Sequence, residues 1–165
     1  MKYAPLHVHD EFSIFDGICT TEELADRAVD VGMTAVAQTN HGTLSGHRQF
    51  YRTMKSRGIK PILGLEAYYC PDRFDKRDSK EREDVLDQVY THLIILAKND
   101  NGLENLSRLS EIGWGEGFYR KPRIDWEVLD KYGDDLIITL GIRISVPVSL
   151  THGFTNDKPL AELHH

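Results

Sequence analysis

Short apolar runs alternate with amphipathic stretches along most of this chain, a pattern that indicates βαβ units and a parallel sheet or barrel. Each apolar run is bounded by polar residues or glycine and is long enough to form one strand. We therefore predict an α/β fold with strands at 6–9, 34–39, 60–69, 92–97 and 135–140.

Four stretches carry apolar residues three or four positions apart and predict helices. The first begins at a capping box formed by Thr20 and Glu23 and ends at Gly32. The other three are expected at about 45–57, over the apolar stripe 103–112 before Gly113, and at 126–132 behind the cap residue Asp125.

Two regions depart from this alternation. Segment 72–87 is so rich in charged residues that we expect a solvated loop or an exposed helix. After Gly141 the periodic pattern ends. We therefore expect one domain over 1–141, followed by a divergent tail over 142–165.

Composition narrows the class of protein. The chain has 165 residues, of which 40% are hydrophobic, and this suffices for the core of one domain. Its 20 basic and 26 acidic side chains give a net charge of −6, so any contact with nucleic acid must be local or mediated by metal. Two isolated cysteines, Cys19 and Cys70, and the lack of a long apolar run predict a cytoplasmic protein with no membrane contact.

Histidine and acidic residues recur near the predicted strands. His7 and His9 lie two positions apart in the first strand and so share a face, with Asp16 just after it. His41 follows the second strand, and Glu66 lies late in the third. In a βα barrel the active site forms at the C-terminal ends of the strands, and nitrogen with carboxylate oxygen suits Zn, Mn or Fe. The pattern predicts a polynuclear metal site that hydrolyses phosphoesters.

Five segments carry a resemblance to a known family: LHVHDEFS at 6–13 with Asp16-Gly17, TNHG at 39–42, GIKPILGLEAY at 58–68, HLIILAKN at 92–99 and EGFYRKPRID at 116–125. They resemble the PHP (polymerase and histidinol phosphatase) domain of bacterial-type DNA polymerase III alpha subunits. The resemblance covers roughly residues 3–141 and points to the polymerase branch of the family.

The resemblance implies a distorted (β/α)7 TIM-like barrel, here incomplete or truncated at its C-terminal end, with up to three divalent metals, Zn or Mn. Some family members are 3′-5′ exonucleases that proofread, whereas in others the domain is structural. His9, Asp16 and His41 are the implied catalytic residues. The implied metal ligands are His7, His9, Asp16, His41, Glu66 and His92. By the barrel rule His92 is at the wrong end, because it begins its predicted strand.

Three departures from the family pattern affect this site. Asn40 stands where the family usually has Asp, which keeps a hydrogen-bonding side chain but loses a charge. Ile142 follows Gly141 where the family usually has a cysteine ligand, and the final Asp-x-His motif is missing. We therefore expect fewer metals than in intact relatives and weak or no nuclease activity in this chain alone.

Three functions remain open: a phosphoesterase acting on DNA 3′ ends, a non-catalytic metal-binding scaffold of the replicase, and a free-standing phosphatase of the histidinol-phosphatase type. The expected partners are a polymerase module and replisome proteins, since the chain has no room for a polymerase module of its own.

Two groups outside the predicted site have competing interpretations. Arg120, Lys121 and Arg123 form either a solvated basic cluster or a phosphate contact. Trp114 and Trp126 are expected to be packing anchors.

Overall fold

The computed structural model describes residues 3–14, 16–77 and 90–140, and these form four helices and six strands. In chain order the elements are α1 (Thr21–Asp30), β1 (Ala35–Gln38), α2 (His47–Ser56), β2 (Lys60–Tyr69), β3 (Thr91–Ala97), α3 (Asp100–Gly115), β4 (Phe118–Tyr119), β5 (Lys121–Ile124), α4 (Trp126–Tyr132) and β6 (Leu136–Leu140).

Strand β2 is the centre of the sheet. The first half of β2 pairs in parallel with β1, in a register that sets Ala35 beside Lys60. Along the second half, β3 pairs antiparallel on one edge, and β5 pairs in parallel with Tyr68 and Tyr69. Strand β6 lies antiparallel to β3 at the far side. The result is a mixed sheet in the order β4-β5-β2-β3-β6, with β1 beside β2.

The expectation of a purely parallel sheet is wrong, and a (β/α)7 barrel is not confirmed, because the described strands do not close into a ring. A parallel return from β2 to β3 would need a crossover, usually a helix, and the described parts of that connection contain none. The sequence could not reveal this, because strands covered on both faces are apolar in either direction.

The first predicted strand, 6–9, is also not a strand of the sheet. It runs beside β1, where Ala37 N donates to Pro5 O at 3.0 Å and Thr39 N to Val8 O at 2.9 Å. The ladder is interrupted because Val8 N donates to the side-chain Oγ1 of Thr39 at 2.9 Å. The segment is therefore held at the sheet by hydrogen bonds that a regular strand would not make.

Two apolar clusters hold the helices on the sheet. The larger joins β2 and β3 to α3 and α4, and it confirms the predicted stripe through Leu106 and Leu109. The smaller packs α1 and α2 on β1 around Phe50. Helix α3 continues through Gly113, which was expected to end it, and ends at Gly115. Gly113 packs against the backbone of Pro122, where a Cβ would lie 3.4 Å from the nearest atom. Ile137 is half exposed on β6.

The capping predictions are confirmed. Thr20 accepts a hydrogen bond from Glu23 N, and the Glu23 side chain accepts one from Thr20 N, which completes the capping box of α1. Asp125 caps α4, whose bounds are those predicted. Within the described residues, no helix has the length and apolarity needed to cross a membrane.

The loop after β2 is less solvated than its charge suggested. The Arg73 side chain is 8% exposed and its Nη1 lies 2.9 Å from Asp125 and 2.8 Å from Glu127. Arg123 is fully buried and donates to the backbone carbonyls of Gly117, Asp75 and Arg73. Arg123 is therefore not part of a solvated basic cluster, and Arg73 is not part of a solvated loop. The remainder of the charged segment, 78–87, lies outside the described residues.

We predict that Asp125 and Glu127 contribute very differently to stability, although both contact Arg73. Asp125 is 7% exposed and also caps α4, so Asp125→Ala should lower the free energy of unfolding by about 3 kcal/mol. Glu127 is 76% exposed, and Glu127→Ala should cost about 0.5 kcal/mol or less. Urea denaturation measures both changes, and equal losses would contradict the assignment.

Candidate metal centre

His7 and His9 both reach the same carboxylate oxygen. Their Nε2 atoms lie 3.1 Å apart and 2.7 Å and 2.6 Å, respectively, from Oε2 of Glu66. The shared face predicted from their spacing is confirmed by these distances. Because the 6–9 segment is pinned to β1, both imidazoles point to the end of the sheet where Glu66 lies.

Asp16 and His41 extend this group of side chains. The Oδ2 atom of Asp16 contacts Nδ1 of His9 in a hydrogen bond and lies 3.5 Å from Nε2 of His41. The buried hydroxyl of Ser13 donates to the same Oδ2 at 3.2 Å and accepts from His41 N at 3.2 Å. Ser13, to which the sequence interpretation gave no role, therefore links the loop of Asp16 to the turn of His41.

The backbone places His41 beside Glu66. An isolated parallel bridge joins these two residues, so the ladder of β1 and β2 resumes at the site. Gly42 N donates to Glu66 O at 2.9 Å, and Glu66 N donates to Asn40 O at 3.2 Å. As a result, His41 Nδ1 lies 3.5 Å from Glu66 Oε2.

His92 reaches the site because β3 is antiparallel. It pairs with Tyr68, so the start of β3 lies at the same end of the sheet as the last residues of β2. Its Nδ1 lies 3.8 Å from Oε1 of Glu66. The barrel rule placed His92 at the wrong end only because it assumed a parallel strand.

The structure thus brings together all six side chains named from the sequence, in three overlapping groups. Within each group the potential ligand atoms lie within 4.8 Å of one another. The groups are His7–His9–Glu66, His9–Asp16–His41 and His41–Glu66–His92, and the six residues are called the cluster below.

The carboxylates of the cluster are held in the ionised form. Burial alone would raise the pKa of Glu66, but hydrogen bonds from His9 and His7 outweigh it and hold that pKa at about 2. The pKa of Asp16 is lowered in the same way, since the contact with His9 outweighs desolvation. Both groups therefore carry negative charge at neutral pH.

The imidazoles divide into two kinds. Desolvation opposes protonation of His9, but Glu66 and Asp16 outweigh it and raise its pKa. Desolvation instead prevails at His41 and His92 and lowers their pKa values, which favours the neutral imidazole. Neutral imidazole is the form that binds a metal ion.

Two observations fit the cluster to divalent metal. Nδ1 of His41 is buried and has no hydrogen-bond partner among the described residues, whereas buried polar atoms normally have one. In addition, the Nε2 atoms of His7 and His9 lie 3.1 Å apart and both face Oε2 of Glu66, as the ligands of a single ion would. Four imidazoles and two carboxylates are a donor set that suits a divalent metal ion.

A buried carboxylate that the sequence interpretation missed supports the loop of the cluster. Asp10 is fully buried, and its oxygens accept hydrogen bonds from Asn40 Nδ2, Thr21 Oγ1, Gln38 Nε2 and Phe12 N. Its position directly after His9 was the available signal, but the side chains that bond to it lie 11 to 30 residues away in the sequence.

Asn40, one of the departures from the family pattern, completes this network. It donates to Asp10 Oδ1 at 2.8 Å and accepts from Asp10 N at 3.1 Å. An aspartate in its place would bring a second carboxylate against Asp10, so one of the two would need a proton. Asn40 therefore avoids this repulsion and keeps the hydrogen bonds expected of this position.

Aromatic rings cover one side of the cluster and were not predicted. Tyr68 stacks on His41 with centroids 5.7 Å apart and packs against His92 at 5.1 Å and Tyr90 at 4.9 Å. Burial raises the pKa of Tyr68 to about 12, so its hydroxyl stays protonated. The rings fix the orientation of both imidazoles.

Comparison with known families agrees with this geometry. The family model of the PHP domain matches residues 5–157. The chain therefore belongs to the PHP domain family.

Its relatives include alpha subunits of DNA polymerase III. The DNA polymerase III subunit alpha of Aquifex aeolicus is 43% identical over 146 residues, which cover 88% of the chain and 13% of the relative. Proteins of the same name from Chlamydia muridarum and Borreliella burgdorferi are 44% and 41% identical over 83% and 84% of the chain, and over 11% and 12% of their own lengths. The chain thus spans about an eighth of these relatives.

Two solved structures resemble the chain more distantly. One is described as a metal-dependent phosphoesterase of Bifidobacterium adolescentis, with a TM-score of 0.45 and 24% identity over 66% of the chain and 32% of that structure. The other is an amidohydrolase of Chromobacterium violaceum, with a TM-score of 0.43 and 21% identity over 67% of the chain and 33% of that structure. With such scores, neither likeness carries weight for fold or function.

The predicted departures at Ile142 and at the missing Asp-x-His motif lie outside the described residues, as does the expected tail 142–165.

We predict a distinct acid limb in the stability of the metal-free protein. The pKa of Glu66 is about 2 in the folded state against an ordinary value of 4.5, so below pH 4.5 the unfolded chain takes up this proton first. The free energy of unfolding should therefore fall by up to about 1.4 kcal/mol per pH unit from this group as pH drops towards 2.

Glu66→Gln should remove that contribution, whereas Glu104→Gln, at an exposed position of α3, should leave the limb unchanged. Urea denaturation in EDTA at several pH values measures the slopes. Parallel slopes for wild type and Glu66→Gln would contradict the prediction.

Proposed function

We propose that this chain is a metal-dependent phosphoesterase that acts on the 3′ end of DNA, with low activity on its own. The observation that carries the proposal is the convergence of four imidazoles and two ionised carboxylates at one end of the sheet. We propose that the six residues of the cluster are the metal ligands and that they bind Zn or Mn. We expect fewer than three ions.

The catalytic residues in this proposal are His9, Asp16 and His41. Asp16 orients His9 through the Nδ1 hydrogen bond, and the Ser13 hydroxyl holds Asp16 in place. His41 is kept neutral by burial and is oriented by its stacking on Tyr68. Divalent ions held there would supply hydroxide near neutral pH and would offset the charge of a phosphodiester.

Low activity is proposed because donors are missing from the sequence. Ile142 cannot ligate where the family usually has cysteine, and no Asp-x-His motif follows. In hydrolysis by a metal cluster, one ion generates the attacking hydroxide and another stabilises the leaving oxygen. The loss of one ion therefore removes one of these two contributions to the rate.

The same missing donors favour a second candidate, a non-catalytic scaffold that binds metal. In either case we propose a cytoplasmic setting in DNA replication, with a polymerase module and replisome proteins as partners, because the relatives are DNA polymerase III alpha subunits. Those names also argue against a free-standing histidinol-phosphatase type of enzyme.

We predict that divalent metal stabilises the folded chain through the cluster. Mn or Zn at 100 times its dissociation constant should raise the free energy of unfolding by about 2.7 kcal/mol, and EDTA should reverse the change. His9→Ala should lose most of this shift.

His47→Ala is the matched control, because His47 is partly buried and contacts Gly64 O at 2.9 Å outside the cluster. Each variant is compared with its own metal-free form by thermal unfolding. A melting temperature that neither metal nor EDTA moves would contradict the proposed metal site.

We predict little Mn-dependent release of nucleotides from the 3′ end of single-stranded DNA by the wild-type chain, and more by Ile142→Cys. A thiolate adds a metal donor, whereas Ile142→Ser, the control, adds a hydroxyl that ligates poorly at neutral pH. His9→Ala in the Ile142→Cys background should abolish the gain.

The release is measured with labelled oligonucleotides that are resolved by length. Histidinol phosphate is tested separately as the alternative, monoester substrate. If metal stabilises the chain but neither wild type nor Ile142→Cys hydrolyses DNA, the result would favour the non-catalytic scaffold. High activity in the wild type, lost in His9→Ala, would show that the present donors suffice.

A further inference from the structure

Two large aromatic side chains are exposed close to the cluster without serving the core. Trp114 at the end of α3 is 53% exposed, and Phe118 in β4 is 44% exposed. Their rings stack with centroids 5.4 Å apart and planes at 15°. Trp126 packs against the larger apolar cluster, as expected of a packing anchor. The same expectation is wrong for Trp114, whose side chain is mostly in solvent.

The position of the Trp114 ring is fixed by a hydrogen bond. Its Nε1 donates to Gly42 O at 2.8 Å, and Gly42 directly follows His41 of the cluster. Gly42 has a φ of 62°, and a Cβ there would lie 2.7 Å from Pro122 Cγ and 2.9 Å from Tyr68 Cε2. The exposed rings are therefore attached to a tightly packed turn at the edge of the cluster.

Lys121 places positive charge beside the cluster. The ammonium of Lys121 lies 5.2 Å from the ring centroid of Tyr68, which stacks on His41. In a chain of net charge −6, Lys121 provides a local attraction for phosphate that the whole molecule does not.

We propose that Trp114 and Phe118 form an aromatic platform on which a nucleobase of single-stranded DNA stacks, while Lys121 contacts the adjoining phosphate and directs the strand to the cluster. The proposal rests on the proposed function, because it names single-stranded DNA as the form of substrate that this site takes. Stacking suits an end-processing site because every base has a π-face, so binding does not depend on sequence.

The test compares two probes that carry the same number of phosphates. Fluorescein-labelled oligo(dT) of about 12 nucleotides and an abasic strand of equal length are titrated with the chain in EDTA, which keeps the strands intact. Wild type should bind oligo(dT) more tightly. Trp114→Ala should weaken oligo(dT) binding by about 5- to 100-fold and leave abasic binding unchanged.

Trp114→Phe retains a flat ring and should keep most of the affinity, which separates stacking from a folding defect. Tyr51→Ala, at an exposed aromatic residue of α2, is the matched control and should bind as wild type does. In Trp126→Phe, Trp114 is the remaining indole, and oligo(dT) should quench its fluorescence.

Equal affinity of the wild type for the two probes, or an equal loss of both in Trp114→Ala, would overturn the platform. Unchanged oligo(dT) binding in Trp114→Ala would also overturn the platform. The exposed rings would then be assigned to a contact with another protein. These outcomes are independent of metal stabilisation and hydrolysis, so the phosphoesterase proposal can fail or hold separately.

Discussion

The site and the strands around it depend on the contacts that the buried carboxylate of Glu66 makes with histidine side chains. Removing an ionised group from water is costly unless it is partnered, and this one lies in the central strand β2. His7 and His9 meet it from the segment beside β1, and His41 from the following turn. Segments that are distant in the sequence therefore meet at Glu66, and a cation bound there would contact side chains from each of them.

The antiparallel direction of β3 brings its first residues to the site. It sets the first residues of one strand beside the last residues of its neighbour, so His92 and Tyr68 join the site from adjacent positions. The two halves of β2 have different roles. The part paired with β1 lies at the smaller apolar cluster, and the part paired with β3 and β5 carries Glu66.

Much of the fold could be predicted from the sequence because its signals are local. The cap residues Thr20 and Asp125 and the bounds of α4 follow from patterns a few residues long. The direction of β3 could not be predicted, since an apolar run is the same in both directions. For the site, motifs named the six residues of the cluster. They did not identify Asp10, whose partners lie up to 30 residues away and act through the fold.

The hydrogen bonds around Asp10 have a consequence for how metal would enter and leave. Its described partners are amides and hydroxyls, so none of them titrates or depends on a cation. The loop that carries His9 can therefore keep its shape when no ion is bound, unlike a zinc finger, which folds around its metal. Replacement of one metal by another then becomes a ligand-exchange reaction, with a rate governed by solvent access and not by refolding.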